Sequence, residues 1–332
     1  MTLPATMPAL VCTGPNRMVF DPAASLPVPG PGEMLVRVAA VGICGSDMHA
    51  YHGHDSRRPP PLVLGHEAAG HVAGGPRNGE RVTINPLVTD PDGPEARAGR
   101  AHLSPGRQII SMPPRPGAFA GFVTIPERNV HTVPAGLTLD QAALCEPLAV
   151  SWHAVRIGLR LLSGVPGLTM VQGGGAIGLA AALCARHLAG GRVVVVETNP
   201  ARAALVAAQG IEALPPTHAI TLAPDLVIDA VGAAATRAAA SAQVRPGGVI
   251  VHVGLLPGHE GFDIRRITLQ EIVVSGSYCY TPQDFADTLA AMAAGALGPL
   301  DWFQTRPLAE GAEAFAALDA GLIAAPKVVL HP

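Results

Sequence analysis

The sequence predicts a two-domain α/β protein in which a doubly wound parallel sheet is joined to a mostly-β domain. Three observations carry this reading. At 332 residues the chain exceeds what one hydrophobic core usually organises. Apolar strands alternate with helix-forming stretches only in its second half, the signature of a parallel sheet covered on both faces. That half opens with G-G-G-A-I-G at 173–178, a glycine-rich turn between a strand and a helix.

The elements follow in order. Residues 1 to about 148 are rich in Pro and Gly, with short β-branched runs at 34–43, 68–75 and 79–86 that read as strands between turns. LTMVQG is an apolar strand, the glycines follow it, and 176–189 forms a helix. A second strand, 192–197, and a second helix, 199–210 ending in Gly, repeat the unit. Strands at 225–232, 247–254 and 271–278 complete the sheet, and the tail adds a helix near 283–294 and a closing strand at 327–332. The tail is too short for a third domain and is expected to return to the N-terminal one. The domains are therefore 1–149 with 280–332, and 150–279.

Composition narrows the class. Hydrophobic residues make up 48% and charged residues 14%, enough apolar material for large cores. A net charge of −3 gives no electrostatic reason to expect nucleic acid or an anionic membrane surface. No apolar run approaches a membrane span, and the N-terminus lacks the basic and hydrophobic regions of a signal peptide. The five cysteines (Cys12, Cys44, Cys145, Cys184, Cys279) do not form a disulfide framework, which points to a reducing, cytoplasmic setting.

Two constellations carry chemistry. C-G-S-D-M-H begins at Cys44, and G-H-E at 65–67 follows a strand. Cys44, His66 and Glu67 offer a thiolate, an imidazole and a carboxylate, a donor set suited to catalytic Zn²⁺ with a fourth position open. Glu146, in C-E-P-L-A, is a carboxylate entering an apolar segment, where it needs a cation or strong donors. In the glycine fingerprint Gly173 permits the tight turn, Gly175 lets backbone approach a pyrophosphate, and Gly178 allows close helix–strand packing. Ala176 and Ile177 complete the loop, and the helix N-terminus presents free N–H groups to the phosphates. Glu197 ends the next strand, where a carboxylate accepts ribose hydroxyls and repels a 2′-phosphate, so NAD is favoured over NADP. Arg202 either stacks near the adenine or weakens that exclusion. Val231 and Val253, beside Gly232 and Gly254, end later strands at the edge where such sheets bind ligands; simple strand-ending is the competing reading.

These residues resemble the zinc-dependent medium-chain dehydrogenases, particularly the branch with sorbitol, glucose and threonine dehydrogenases. The markers are V-G-I-C-G-S-D-M-H, L-G-H-E-A-A-G, G-A-F-A-G-F-V, E-P-L-A-V and the glycine fingerprint, covering essentially the whole chain. The resemblance implies a GroES-like catalytic domain and a Rossmann domain. It implies Cys44, His66 and Glu67 as zinc ligands, Glu146 as a carboxylate that can exchange with water at the metal, and Asp47 as a group orienting the histidine. Ser46 and His49 would pass the alcohol proton toward solvent. Tyr51 and Phe119 match positions that tend to line substrate pockets, although packing would place the same residue types there.

Most relatives carry a second, structural zinc in a lobe spaced C-x2-C-x2-C-x7-C. Here the corresponding stretch, 89–108, has Asp90, Gly93, Ala96 and Ser104 at those positions. Gly and Ala cannot ligate, so one zinc per subunit is expected. The resemblance thus implies NAD-dependent oxidation of a secondary alcohol, polyol or sugar-derived, by a homodimer or homotetramer. Within the enzymes the alternative is an L-threonine 3-dehydrogenase. Outside them it is a non-catalytic NAD-binding protein, which the retained Cys44, His66, Ser46 and His49 disfavour, as they do a zinc-free quinone reductase.

Overall fold

The structure, a computed structural model, describes residues 3–162 and 164–332. It divides into two compact units. One runs to Glu146 and takes in Thr281–Ala293 and Leu300–Pro332; the other is Pro147–Tyr280 with Ala294–Pro299.

The first unit is built on a seven-stranded sheet whose central strand is Glu33–Gly42. Its neighbours are Glu67–Val72 and the C-terminal strand Lys327–His331, both antiparallel to it. Gly42 pairs with Glu67 and also with Val329, so the end of one strand and the starts of two others meet at one corner of the sheet. Cys44 lies just beyond that corner, at the N-cap of the helix Gly45–Tyr51. Strand, loop and helix residues, Leu10, Val36, Leu64, Ile84, Phe119 and Phe315 among them, meet in one fully buried cluster.

An N-terminal hairpin, Thr6–Gly14 with Arg17–Ser25, joins a smaller sheet and was not anticipated from the sequence. Its turn uses Asn16 at φ 56°, a left-handed conformation that Asn tolerates and that a search for Gly-centred turns overlooks.

The second unit is a six-stranded parallel sheet. From one edge the strands run Glu212–Leu214, Arg192–Val196, Leu168–Gln172, Leu226–Asp229, Val249–His252 and Val273–Gly276. Numbered along the chain this is 3-2-1-4-5-6, the doubly wound order with its switch point between the first and fourth strands. Met170, Val194, Val227 and Ile250 are fully buried, as expected of strands covered on both faces. Among the described residues no helix is long and apolar enough to cross a membrane.

Candidate metal centre and cofactor cradle

The sheet corner in the first unit gathers three donors. Ligand atoms of Cys44, His66 and Glu67 lie within 4.8 Å of one another. His66 and Glu67 are buried and Cys44 is half-buried. Among the described residues this is the one group of three or more His, Cys, Asp or Glu side chains so arranged.

Each donor is held by its neighbours. Asp47, fully buried in the first turn of the helix, accepts the Cys44 N–H at 3.0 Å through one oxygen. Its other oxygen accepts the Gly65 N–H at 3.3 Å and stands 3.5 Å from His66 Nδ1. Ser111 Oγ lies 3.4 Å from the same nitrogen. Two oxygens thus face Nδ1, which leaves Nε2 for the cluster, as is usual for a ligating histidine. Burial alone would raise the Asp47 pKa, but His66, the charge of Arg58 and the Cys44 N–H hold it below the ordinary carboxylate value. Burial works against a charged His66 in turn, yet Asp47 and Cys44 raise its pKa well above the usual imidazole value. The corner therefore has a field that favours a positive charge.

Glu67 is the most informative of the three. Its Oε1 accepts the Lys327 ammonium at 2.6 Å, while Oε2 is buried with no hydrogen-bond partner among the described residues. A bare buried carboxylate oxygen is costly, and a cation beside it removes that cost. Oε2 also fixes Gly42, because a Cβ there would lie 2.1 Å from it. An S, N and O donor set with one unsatisfied anionic oxygen fits Zn²⁺.

Lys327 is a residue the sequence reading passed over. Its Nζ also donates to the Ile43 carbonyl at 3.0 Å, and it is buried with the strand that carries it. Burial would lower its pKa, but the charges of Glu67, Cys44 and Glu146 outweigh that and keep it protonated. Only the alternation-breaking lysine at the head of K-V-V-L hinted at such a role. Glu146 lies in the first turn of the helix Cys145–Leu161, outside the trio but near enough for its charge to act on Lys327. Ser46 and His49 are half-buried and three residues apart on one short helix, so they share a face. Burial lowers the His49 pKa, with His52, His54 and Arg58 adding to the effect and Asp55 opposing it.

Tyr51 and Phe119 are core residues in this unit. Phe119 is fully buried and meets Phe315 edge-on at 5.8 Å, and Tyr51 packs on the same ring at 5.4 Å. The lobe 89–108 is closed at its base by Leu87 pairing with Ile109 and Val88 with Gln108. Asp90 turns back to accept the Asp92 N–H at 2.9 Å, and Arg100 pairs with Glu95 at 3.1 Å.

In the second unit the glycine loop joins the strand Leu168–Gln172 to the helix Ala176–Leu188. A Cβ on Gly178 would lie 1.8 Å from the Gly173 carbonyl, so the close packing excludes any side chain there. Gly175 caps the helix without a side-chain bond, leaving its first N–H groups open to an anion. Ala176 and Ile177 form the first turn. Glu197 is buried, with Oε2 accepting the Gly174 N–H and Oε1 the Asn199 N–H, each at 2.7 Å. It therefore ties the loop to the end of the next strand. Arg202 stands 3.9 Å from it. A further buried carboxylate, Asp229, accepts the Val231 and Gly232 N–H groups at 3.0 and 2.9 Å, while its carbonyl takes that of Val253 at 2.9 Å. Val231 and Val253 thus follow the carboxyl ends of adjacent strands, at the same sheet edge as the glycine loop.

Comparison with known proteins agrees with this arrangement. Residues 30–135 match the alcohol dehydrogenase GroES-like domain, and residues 176–294 match the zinc-binding dehydrogenase model. The chain is 33% identical over 309 residues to L-galactonate-5-dehydrogenase of Escherichia coli (strain K12), covering 88% of each. It is 32% identical to sorbitol dehydrogenase of Bacillus subtilis (strain 168), covering 84% of each. Among solved structures, a zinc-binding dehydrogenase from Sinorhizobium meliloti 1021 bound to NADP superimposes with a TM-score of 0.88 at 27% identity, over 99% of this chain and 100% of that one. The alcohol dehydrogenase TADH from Thermus sp. ATN1 gives 0.86 at 26% identity, over 98% and 99%.

Proposed function

The chain belongs to the zinc-binding alcohol dehydrogenase family, and we propose that it oxidises a secondary alcohol of a polyol or sugar acid with NAD⁺ as hydride acceptor. The observation that carries this reading is the Cys44–His66–Glu67 trio with its bare, buried Glu67 oxygen. Cys44, His66 and Glu67 would hold one Zn²⁺, with Glu146 able to enter in exchange with water. When bound, such an ion supplies Lewis-acid polarisation of an alcohol oxygen.

The remaining steps belong to the chain's own groups. Asp47 and Ser111 orient His66 through Nδ1, and Lys327 fixes one oxygen of Glu67 so that the other faces the cluster. Ser46 and His49 move the alcohol proton outward, with the neutral imidazole as acceptor. Gly173, Gly175, Ala176, Ile177 and Gly178 cradle the pyrophosphate, while Val231 and Val253 flank the cofactor at the strand ends. Glu197 accepts the adenosine ribose hydroxyls and repels a 2′-phosphate, which favours NAD over the NADP carried by the Sinorhizobium meliloti neighbour; Arg202 lies beside it. The sugar-acid substrate class is supported by the Escherichia coli relative, which is named for L-galactonate.

We place the enzyme in the cytoplasm on its five free cysteines, and read it as a homodimer or homotetramer. Val273 and Val274 on the edge strand Val273–Gly276 are 39% and 38% exposed, a surface suited to a second copy. The test is NAD⁺ reduction over polyols, aldonates, threonine and simple alcohols, with and without a zinc chelator. Chelator-sensitive turnover of a polyol or aldonate is expected. A zinc-loaded protein inactive on every secondary alcohol would refute the reading.

A further inference from the structure

Arg58 lies between the helix Gly45–Tyr51 and the short strand Leu62–Val63, in a loop where an arginine would ordinarily reach into water. Instead it is 3% exposed. Burying a guanidinium is costly unless its donors are used, so the partners it keeps indicate what it does. Nη1 donates to the Ser46 carbonyl at 2.7 Å, and Nε donates to the Ser111 carbonyl at 3.2 Å. Asp55 Oδ2 stands 3.6 Å from Nη1 and supplies a counter-charge.

The two carbonyls belong to separate segments of the corner. Ser46 is in the first turn of the helix that follows Cys44, next to Asp47. Ser111 sits at φ 73°, in a left-handed conformation that a serine rarely adopts unless its surroundings impose it. In that conformation its Oγ faces His66 Nδ1. Asp47, the residue after Ser46 on the helix that Arg58 holds, faces the same nitrogen at 3.5 Å. One planar cation thus joins the backbone beside Asp47 to the backbone of Ser111, the two residues whose side chains face the His66 ring. A lysine could not do this, because its single ammonium nitrogen lacks the fork that serves two carbonyls at once.

We propose that Arg58 is a positioning residue of the metal centre, tying the Ser46 turn to the Ser111 loop so that Asp47 and Ser111 fix the His66 ring for metal binding. This rests on the reading of Cys44, His66 and Glu67 as the zinc site. Arg58 touches neither substrate nor cofactor in this scheme and acts through His66.

The test compares the full-length parent with Arg58→Met and Arg58→Lys. Zinc affinity is read by competition with a chromophoric chelator, and the thiolate-to-metal absorption band is read after cobalt substitution. Arg58→Met is expected to bind zinc about 10- to 100-fold more weakly, the range seen when groups behind a metal ligand are removed. Its cobalt band should shift, and kcat should fall with little change in KM for the alcohol. Arg58→Lys should fall between parent and Arg58→Met. An Arg58→Met protein matching the parent in zinc affinity and cobalt spectrum overturns the proposal; should that variant be insoluble, a parent-like Arg58→Lys overturns it. A parent that takes up no zinc would sink the reading of the trio, and this role with it. A zinc-binding parent with unaffected variants sinks the Arg58 role alone.

Discussion

The corner that holds Cys44, His66 and Glu67 and the excursion 89–108 are both loop-built, yet they satisfy their polar groups in opposite ways. In the corner, chain from four places converges: the turn at Cys44, the strand start at Glu67, the Ser111 loop and the C-terminal strand. The polar atoms are buried and mutually supporting, and one carboxylate oxygen is left over. In the excursion, three polar side chains close on partners a few residues away: Asp90 on Asp92, Arg100 on Glu95, Arg107 on the Ser104 carbonyl. One further clamp, from Arg128 to the Thr89 carbonyl at 3.0 Å, ties it to the body of the unit. The contrast teaches that loop length alone says little about an ion, since Gly93 and Ala96 carry no ligating side chain. A buried donor set with an uncompensated charge is the better sign.

The sharpest way to break this comparison is to remove a donor. Cys44→Ser should abolish tight zinc binding and reduce kcat/KM by on the order of 10³-fold, since Lewis-acid stabilisation supplies several kcal/mol. Metal analysis of the parent should give one zinc per chain, all of it lost in this variant. Two tightly bound zincs in the parent would show that the excursion holds a metal by means its sequence does not suggest.

A smaller effect comes from the proton path. The His49 pKa lies below its ordinary value because burial disfavours the charged ring. In the proposed path the neutral ring is the proton acceptor, so oxidation should hold its rate as pH falls through the usual imidazole range and decline only below it. His49→Gln should remove that acid limb and lower kcat by on the order of 10²-fold. A variant that keeps both the parental rate and the parental acid limb would exclude His49 from the path.

How much of this was legible in the chain follows from which contacts are local. The strands and helices of the second unit announce themselves through apolar runs broken by glycine, and its parallel order follows from their alternation with helices. Cys44, His66 and Glu67 could be read because each sits in a short motif at a strand–turn junction. Lys327 could not, because its partner Glu67 is 260 residues away and the pairing exists only once the C-terminal strand lies beside Glu33–Gly42. Arg58 was hidden for a related reason: its loop, H-G-H-D-S-R-R-P-P-P, reads as solvated, and only the fold shows the guanidinium turned inward. Glu146 was legible as a buried carboxylate at a helix start, but not its distance from the trio.

Gly42 tests whether the corner depends on shape as well as donor identity. A methyl group there would overlap Glu67 Oε2, while the strand's pairing on both sides prevents the backbone from moving away. The carboxylate would have to swing, loosening either the Lys327 contact or the trio. Gly42→Ala should therefore weaken zinc binding about tenfold, with a stability cost of about 1–3 kcal/mol from overpacking. Zinc titration together with chemical denaturation separates the two terms. Unchanged zinc affinity would show that Glu67 is not held to the metal through this contact.

The smallest effect belongs to the excursion and completes the contrast from its other side. Asp90 occupies the first position of the relatives' cysteine spacing, is exposed, and spends its side chain on the Asp92 N–H in a local turn. Removing that bond should cost about 0.5–1 kcal/mol, a shift of roughly 1–3 °C in Tm for a domain of this size. Zinc content and kcat should stay at parental values, because Asp90 is not part of the one donor group gathered among the described residues. Calorimetry and metal analysis of Asp90→Ala decide the point together. A variant that loses zinc in proportion to its stability would mean that the excursion supports the metal corner, and the two regions would then have to be treated as one structural element.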